Sequence, residues 1–222
     1  MRMEAVIIKF VVIDDHPLVR QSMETALSET FPNSIVKVYS SLEESLSCFN
    51  GSNVNNEPEG VWWVLMDLGL KGITGLAAIR VILSVEAKIK LITVSGNDDE
   101  LQVGACFGSG VTAFISKGAP VTDSMNLIKT LVNNQQPKSR WLSANGYRNV
   151  KDIRQIQLTD RQIQVLSMIC EGKTNKDIAQ ALGITEITAK SHVGGIFKEL
   201  RVINRTQAVL VAQKLGIVSA KY

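Results

Sequence analysis

The stretch Val-Val-Ile-Asp-Asp-His-Pro, residues 11–17, decides the fold because it ends an apolar run on two adjacent carboxylates. The run Val6–Ile13 is rich in β-branched residues, which predicts a strand. In an open parallel sheet, ligands bind beyond the carboxyl ends of the strands. Asp14 and Asp15 would lie at such an end, so this stretch predicts a strand followed by a charged functional loop.

The alternation of β-rich runs with amphipathic stretches continues to about residue 132, which is the pattern of βα units. The predicted strands are Val6–Ile13, Ile35–Tyr39, Val61–Met66, Ile89–Val94 and Thr112–Ser116. The predicted helices are Leu18–Thr30, Leu42–Phe49, Gly75–Ser84, Asp98–Gly108 and Thr122–Asn133. The count predicts an α/β domain with a doubly wound, five-stranded parallel sheet in the flavodoxin-like order 2-1-3-4-5. The polar segment Gly51–Gly60 is predicted to be a surface loop.

Three further polar residues follow the remaining central strands of this sheet. Asp67 follows the third strand, Ser95 the fourth and Lys117 the fifth. Carboxylates from strands one and three would converge, which is costly unless a hard cation such as Mg²⁺ or Mn²⁺ neutralises them. An aspartate beside that cation can attack a phosphoryl donor, while a hydroxyl and an ammonium hold the transferred oxygens. Any one of these residues could be a helix cap, but together they predict a phosphoacceptor site.

The remainder of the chain predicts a second, all-helical module. Asn, Gln, Pro and Gly residues interrupt the periodicity between Asn133 and Gln157, which predicts a linker. The expected divisions are a first domain at 1–132, a linker at 133–157 and a second domain at 158–222. Helix start signals then recur at Thr159, Thr174, Thr185 and Asn204. Two short helices separated by Gly183-Ile184-Thr185 are typical of a helix-turn-helix, a separate small DNA-binding fold.

Charge is distributed unevenly between these modules. The formal charge is −5 for residues 1–132, +3 for 133–150 and +5 for 151–222. A basic second module joined to an acidic first one indicates a polyanionic partner for the second, and double-stranded DNA fits a helix-turn-helix.

Composition excludes several other classes of protein. Hydrophobic residues make up 45% of the 222 residues and charged residues 20%, as in globular domains. The longest apolar runs, such as Val61–Met66, are far shorter than the roughly 20 residues needed to cross a bilayer. The N-terminus lacks the features of a signal peptide. Cys48, Cys106 and Cys170 have no metal-ligand spacing, so we expect reduced packing residues of a cytoplasmic protein with no membrane partner.

The strand-end motifs resemble the receiver domain of two-component response regulators over about residues 5–132. The matching segments are Val11–Pro17, Leu65–Gly75, Ser95–Gly96 and Gly110–Lys117. The resemblance implies that Asp67 accepts a phosphoryl group from a sensor histidine kinase. It also implies three sets of supporting residues: Asp14, Asp15, Asp67 and the backbone carbonyl of Gly69 for Mg²⁺, Ser95 and Lys117 for the phosphoryl oxygens, and Phe114 as the aromatic that turns inward on activation.

The chain departs from the receiver pattern at a few positions. Lys71 replaces the usual Pro, Gly96 replaces a frequent Ala, and Gly51–Gly60 is an expected insertion. None of these departures removes a catalytic group. His16 stands where relatives often carry His, and we expect it to serve the loop rather than the chemistry.

Residues 158–217 resemble the LuxR-type, NarL-like helix-turn-helix. The matching segments are Leu158–Gln162, Asn175–Ala179, Leu182–Thr185, Thr188–His192 and Asn204–Ala208. In its third helix the apolar spacing predicts an inward face of Ala189, Val193, Ile196 and Leu200. The expected DNA contacts on that helix are Thr188, Lys190, Ser191, Gly194 and Lys198, with Lys190 and Ser191 at base edges. The expected phosphate contacts elsewhere include Lys173, Lys176, Arg201 and Arg205.

The leading hypothesis is a phosphorylation-controlled transcription regulator that binds DNA as a homodimer, with the last helix, Asn204–Leu215, as the dimer contact. We expect no enzymatic activity beyond slow autophosphatase activity. One alternative is a phosphorylation-independent regulator whose receiver only dimerises or senses a ligand. The other is an aspartyl-phosphate phosphatase, which normally needs a second Asp where this chain has Gly69.

Overall fold

The computed structural model describes residues 7–49, 61–85, 88–133 and 140–217. Its strands are β1 Lys9–Ile13, β2 Ile35–Tyr39, β3 Trp62–Asp67, β4 Ile89–Ser95, β5 Ala113–Ser116, β6 Trp141–Ser143 and β7 Gly146–Arg148. Its α-helices are α1 Pro17–Thr30, α2 Leu42–Phe49, α3 Gly75–Val85, α4 Glu100–Gly108, α5 Val121–Val132, α6 Asp160–Cys170, α7 Asn175–Leu182, α8 Glu186–Leu200 and α9 Arg205–Lys214. The predicted loop Gly51–Gly60 lies outside the described residues.

The first five strands form a parallel sheet in the order 2-1-3-4-5, as predicted. Every residue of β1, β3 and β5 is buried, because helices cover both faces of a doubly wound sheet. Alternate side chains divide between two clusters, so that Val11 and Ile13 join one and Phe10 and Val12 the other. This parallel arrangement brings the ends of β1, β3, β4 and β5 to one edge.

The sequence predicted five strands, but the sheet has two more, and both lie inside the segment that was predicted to be a linker. β6 pairs in parallel with β5, and β7 returns antiparallel to β6, so the sheet has seven strands. The N–H of Phe114 donates to the carbonyl of Arg140 at 2.9 Å. Gly146, with a φ of +103°, permits the tight reversal between the two strands. Each strand has only three residues, too few for a periodic signal.

The second module is helical throughout α6–α9, as predicted. All four predicted caps accept a backbone N–H at the start of their helix: Thr159, Thr174, Thr185 and Asn204. Gly183 ends α7 with a φ of +63°, in the left-handed conformation that favours glycine. Buried Ile178, Ile196 and Ala208 place the core between the helices. No helix among the described residues is both long enough and apolar enough to span a membrane.

The two modules contact each other through backbone as well as side chains. Arg80 of α3 hydrogen bonds to the Asp160 carboxylate and the Leu158 carbonyl. The N–H of Leu76 donates to the carbonyl of Leu215, after α9, at 3.2 Å. Lys214 Nζ lies 3.0 Å from Oδ2 of Asp99, which precedes α4. The receiver-like domain is therefore attached to the end of α9 at α3 and at the start of α4.

Two glycines of α4 let the segment that precedes α6 pack directly on the helix backbone. A Cβ at Gly104 would lie 2.3 Å from the carbonyl oxygen of Arg154, and one at Gly108 would lie 2.1 Å from that of Ile156. The N–H of Ile156 also donates to the carbonyl of Gly104 at 3.1 Å. Only a residue without a side chain fits at either position.

We predict that Gly108→Ala displaces this segment, because backbone atoms cannot yield to a methyl group at 2.1 Å. Amide hydrogen exchange at Ile156 should become faster than in the wild type, although Ala favours a helix by roughly 1 kcal/mol over Gly. Gly96→Ala is the control, since a Cβ there meets no atom within 4 Å. Unchanged exchange at Ile156 in Gly108→Ala would show that the close contact is not maintained in solution.

Candidate phosphoacceptor site and DNA-contact helix

The polar residues at the strand ends form one cluster. Asp14 follows β1, Asp67 ends β3 and Lys117 follows β5. Nζ of Lys117 lies 2.9 Å from Oδ2 of Asp14 and 2.8 Å from Oδ2 of Asp67. A single ammonium thus bridges carboxylates from two strands, and the predicted convergence of the carboxylates is confirmed.

The cluster offers ligands of the kind that a hard cation prefers. Ligand atoms of Asp14, Asp15, His16 and Asp67 all lie within 4.8 Å of one another. The side chains of Asp14 and Asp67 are each only 4% exposed. Oδ1 of Asp15 is buried and makes no hydrogen bond of good geometry among the described residues, although Nδ1 of His16 lies 2.9 Å from it. Three carboxylates face two ammonium groups, Lys117 beside Asp14 and Asp67 and the exposed Lys71 with its Nζ 3.8 Å from Oδ2 of Asp15, so a divalent cation fits both the oxygen donors and the excess negative charge.

Lys117 stays charged in this environment. Burial lowers the pKa of Lys117, but hydrogen bonds to Asp14 and Asp67, together with their charges, outweigh burial and raise the pKa above its ordinary value. The ammonium is therefore available both to hold the two carboxylates and to attract further anionic oxygens.

The other predicted receiver residues lie at the same edge. Gly69 donates its backbone N–H to Oδ1 of Asp67 at 3.0 Å, which folds the loop after β3 back onto the carboxylate. Ser95 ends β4, and its carbonyl accepts the N–H of Lys117 at 2.8 Å. Oγ of Ser95 accepts the N–H of Asn97 at 3.1 Å. Phe114 is completely buried in β5, pointing into the core.

Two residues, His16 and Arg20, contact the acidic pair in ways that the sequence did not predict. Nδ1 of His16 lies 3.0 Å from Oδ1 of Asp14 and 2.9 Å from Oδ1 of Asp15, so His16 faces the carboxylates although its side chain is 64% exposed. Arg20 donates to the carbonyl of Asp14 at 2.6 Å. The position of His16 next to the acidic pair could have indicated the first contact, but Arg20 is brought back only by the first turn of α1.

The two faces predicted for α8 are confirmed. Ala189, Ile196 and Leu200 are buried, and Val193 is partly buried against the same core. The predicted outward residues are all exposed: Thr188, Lys190, Ser191, Gly194 and Lys198. Oγ1 of Thr188 also lies 2.9 Å from Oγ1 of the cap Thr185, so Thr188 supports the helix start.

The residues predicted to contact phosphates differ in their surroundings. Lys176 is exposed at the start of α7, whereas Lys173 lies 3.1 Å from Glu171. Arg205 donates to the carbonyl of Lys173 and joins the start of α9 to the loop after α6. Arg201 is exposed, with a φ of +53° where α8 ends. Arg205 therefore has a structural partner that the sequence did not indicate.

The base-reading candidate Lys190 has a partner on its own helix. Its Nζ lies 3.2 Å from Oε1 of Glu186, one turn earlier. Exposed pairs of this kind contribute only about 0.3–0.5 kcal/mol. A nearby phosphate or guanine can therefore compete for Lys190 at little cost.

A five-stranded parallel core with this acidic and lysine cluster, joined to a helix-turn-helix, defines a receiver with a DNA-binding output. The family described as "Response regulator receiver domain" matches residues 10–129, and "Bacterial regulatory proteins, luxR family" matches residues 156–212. The chain belongs to the response regulators, and its output domain is of the LuxR type.

Similar proteins align with this chain over nearly their whole length. The chain is 29% identical to the glycerol metabolism activator of Pseudomonas putida, an alignment that covers 92% of this chain and 94% of that protein. It is 27% identical to the transcriptional regulatory protein DegU of Brevibacillus brevis, covering 96% of each. A solved structure of two RcsB dimers bound to two parallel DNAs resembles it in fold, with a TM-score of 0.55 at 17% identity, covering 94% of this chain and 99% of that one.

We predict that acetyl phosphate with Mg²⁺ adds one phosphoryl group to Asp67. The cation and Lys117 offset the repulsion between the carboxylates and the incoming anion. Mass spectrometry of the intact chain should show the adduct in the wild type and in the control Asp123→Asn, but not in Asp67→Asn. Equal labelling of Asp67→Asn would place the acceptor elsewhere.

Proposed function

We propose that this response regulator is a phosphorylation-controlled transcription factor that receives its phosphoryl group from a sensor histidine kinase in the cytoplasm. The observation that carries the proposal is the bridge from Lys117 to Asp14 and Asp67, at 2.9 and 2.8 Å. In the transfer, the bond from phosphorus to the kinase histidine nitrogen breaks and a bond to an oxygen of Asp67 forms. The nitrogen keeps the bonding electron pair.

Mg²⁺, or Mn²⁺, is the proposed cofactor. Asp14, Asp15, Asp67 and the backbone carbonyl of Gly69 would hold it, and when bound it would supply positive charge to the phosphoryl oxygens. Buried Oδ1 of Asp15 makes no hydrogen bond of good geometry and has only the exposed His16 beside it, at 2.9 Å, which supports this assignment. Lys117 and the hydroxyl of Ser95 would hold the remaining phosphoryl oxygens. The ring of Phe114 is already buried in the core in this structure, so it has no inward turn left to make on activation.

A chain of contacts connects Ser95 to the DNA-binding domain. Oγ of Ser95 accepts from Asn97, and Nδ2 of Asn97 donates to Oδ2 of Asp99 at 2.8 Å. Asp99 caps α4 through Gln102 and pairs with Lys214, at the end of α9. If Ser95 turns to a phosphoryl oxygen, Asn97 loses its acceptor. The pair Asp99–Lys214 and the contact between the two modules then weaken.

The proposed output is binding of a homodimer to double-stranded DNA. The exposed residues of α8 would enter the major groove, with Lys190 and Ser191 at base edges, and α9 would supply the dimer contact. The end of α9 lies against α3 and α4 in this structure. Release of that contact would free α9, which links phosphorylation to dimerisation.

The proposal includes no enzymatic turnover beyond slow loss of the phosphoryl group. An aspartyl-phosphate phosphatase needs an acid two residues after its nucleophile, and Gly69 supplies only a backbone N–H to Asp67. A receiver that acts without phosphorylation would not need buried carboxylates from two strands gathered beside a lysine at the strand ends. The intact cluster supports phosphorylation control over both alternatives.

We predict that Lys190→Ala weakens specific DNA binding by about 1–3 kcal/mol and relaxes the sequence preference, because a bidentate base contact is lost. Titration of the phosphorylated chain at fixed salt measures the change. Lys151→Ala is the control, an exposed lysine that precedes the helical module. Equal affinity of Lys190→Ala and the wild type for this DNA would mean that Lys190 makes no base contact and is a solvent-exposed lysine.

We also predict opposite effects on stability and DNA binding for Gly194→Ala. A Cβ at Gly194 meets no atom within 4 Å, so the melting temperature should rise, in line with roughly 0.8–1 kcal/mol for Gly to Ala in a helix. Operator binding should weaken, because the methyl group would press against the groove. If the variant is more stable and binds the operator as tightly as the wild type, Gly194 has no role in docking to DNA.

A further inference from the structure

Ile187 lies on the exposed face of α8, although its side chain is apolar. The side chain is 81% exposed, one turn before Lys190 and Ser191. At 3.6 residues per turn, Ile187, Lys190, Ser191 and Gly194 form one continuous stripe on the helix. Ile187 is the first member of this stripe.

The fold provides no packing role for Ile187. The core of the second module is filled from the opposite face of α8, by Ala189, Ile196 and Leu200. A β-branched residue is also less favourable in a helix than a straight-chain one. Single exposed apolar side chains are common on proteins, so the position of Ile187, rather than its exposure, is the informative observation.

That position is the first turn of the second helix in a helix-turn-helix. Residues in the N-terminal part of that helix contact base edges in the major groove. Glu186 precedes Ile187, and its Oε1 lies 3.2 Å from Nζ of Lys190. This ion pair restrains the side chain of Lys190 beside that of Ile187. An isoleucine can neither bind phosphate nor accept or donate a hydrogen bond, so the groove must offer it an apolar group.

We propose that Ile187 is a specificity-determining residue that recognises the C5-methyl group of a thymine in the major groove. This inference rests on the proposed binding of DNA through α8. The thymine methyl is the apolar group that the major-groove edges of the four base pairs present. Contact with it removes apolar surface from water and distinguishes thymine from cytosine without any charge. Ile187 therefore contributes to sequence preference and leaves the salt dependence of binding to the lysines and arginines.

The test uses the full-length phosphorylated chain and a DNA duplex selected from a random pool for binding to it. Each thymine of a half-site is replaced in turn by deoxyuridine, which lacks only the methyl group. At one position the wild type should lose about fourfold in affinity per half-site, as expected for one buried methyl-sized group. Ile187→Ala should bind the unmodified duplex more weakly by at least that factor and should not respond to deoxyuridine at that position.

Ile203→Ala is the matched control, because Ile203 is 84% exposed in the same module but lies beyond the end of α8. It should keep the full response to deoxyuridine, and all three proteins should show the same slope of affinity against salt. If every deoxyuridine duplex binds the wild type normally, or if Ile187→Ala keeps the response, the assignment of Ile187 is overturned. If the selection yields no preferred sequence at all, the failure lies with the proposed function rather than with Ile187.

Discussion

The double ion pair of Lys117 is the constraint on which the functional end of the molecule depends. Asp14 and Asp67 are almost fully buried, and carboxylates brought together in this way repel each other unless positive charge lies between them. The side chain of Lys117 reaches both from the end of β5. Removing one partner would leave a buried charge without compensation, which is far more costly than losing an exposed pair. The same ammonium that holds the ends of three strands together is the group that would receive a phosphoryl oxygen in the proposed function.

The constraint extends to the second module through α4. The loop that contains Ser95 and Asn97 leads to Asp99, which both caps α4 and pairs with Lys214. Burial raises the pKa of Asp99, but hydrogen bonds from Gln102 and Lys214 outweigh it and lower the pKa, so Asp99 is ionised at neutral pH. Gly104 and Gly108 of α4 also pack against the backbone that precedes α6. A displacement of the first residues of α4 would therefore change how the DNA-binding domain packs against this helix.

Much of this architecture could be predicted from sequence because its signals are local. Strand ends such as Asp67 are marked by the change from an apolar run to a polar residue, and caps such as Thr159 are marked by their side chains. The hairpin of β6 and β7 could not be predicted, since three residues show no periodicity and the pairing with β5 is a tertiary contact. The need for glycine at position 104 could not be predicted either, because a side chain there would collide with the carbonyl of Arg154, which lies 50 residues later in the sequence.

In the proposed function, phosphorylation of Asp67 loosens the contact between the two modules. Amide hydrogen exchange at Leu76 and Ile156 reports on that contact directly, because Leu76 donates to Leu215 and Ile156 donates to Gly104. Both amides should exchange faster after treatment of the wild type with acetyl phosphate and Mg²⁺, and neither should change in Asp67→Asn. Full phosphorylation of the wild type with unchanged exchange at both amides would show that the contact is not loosened.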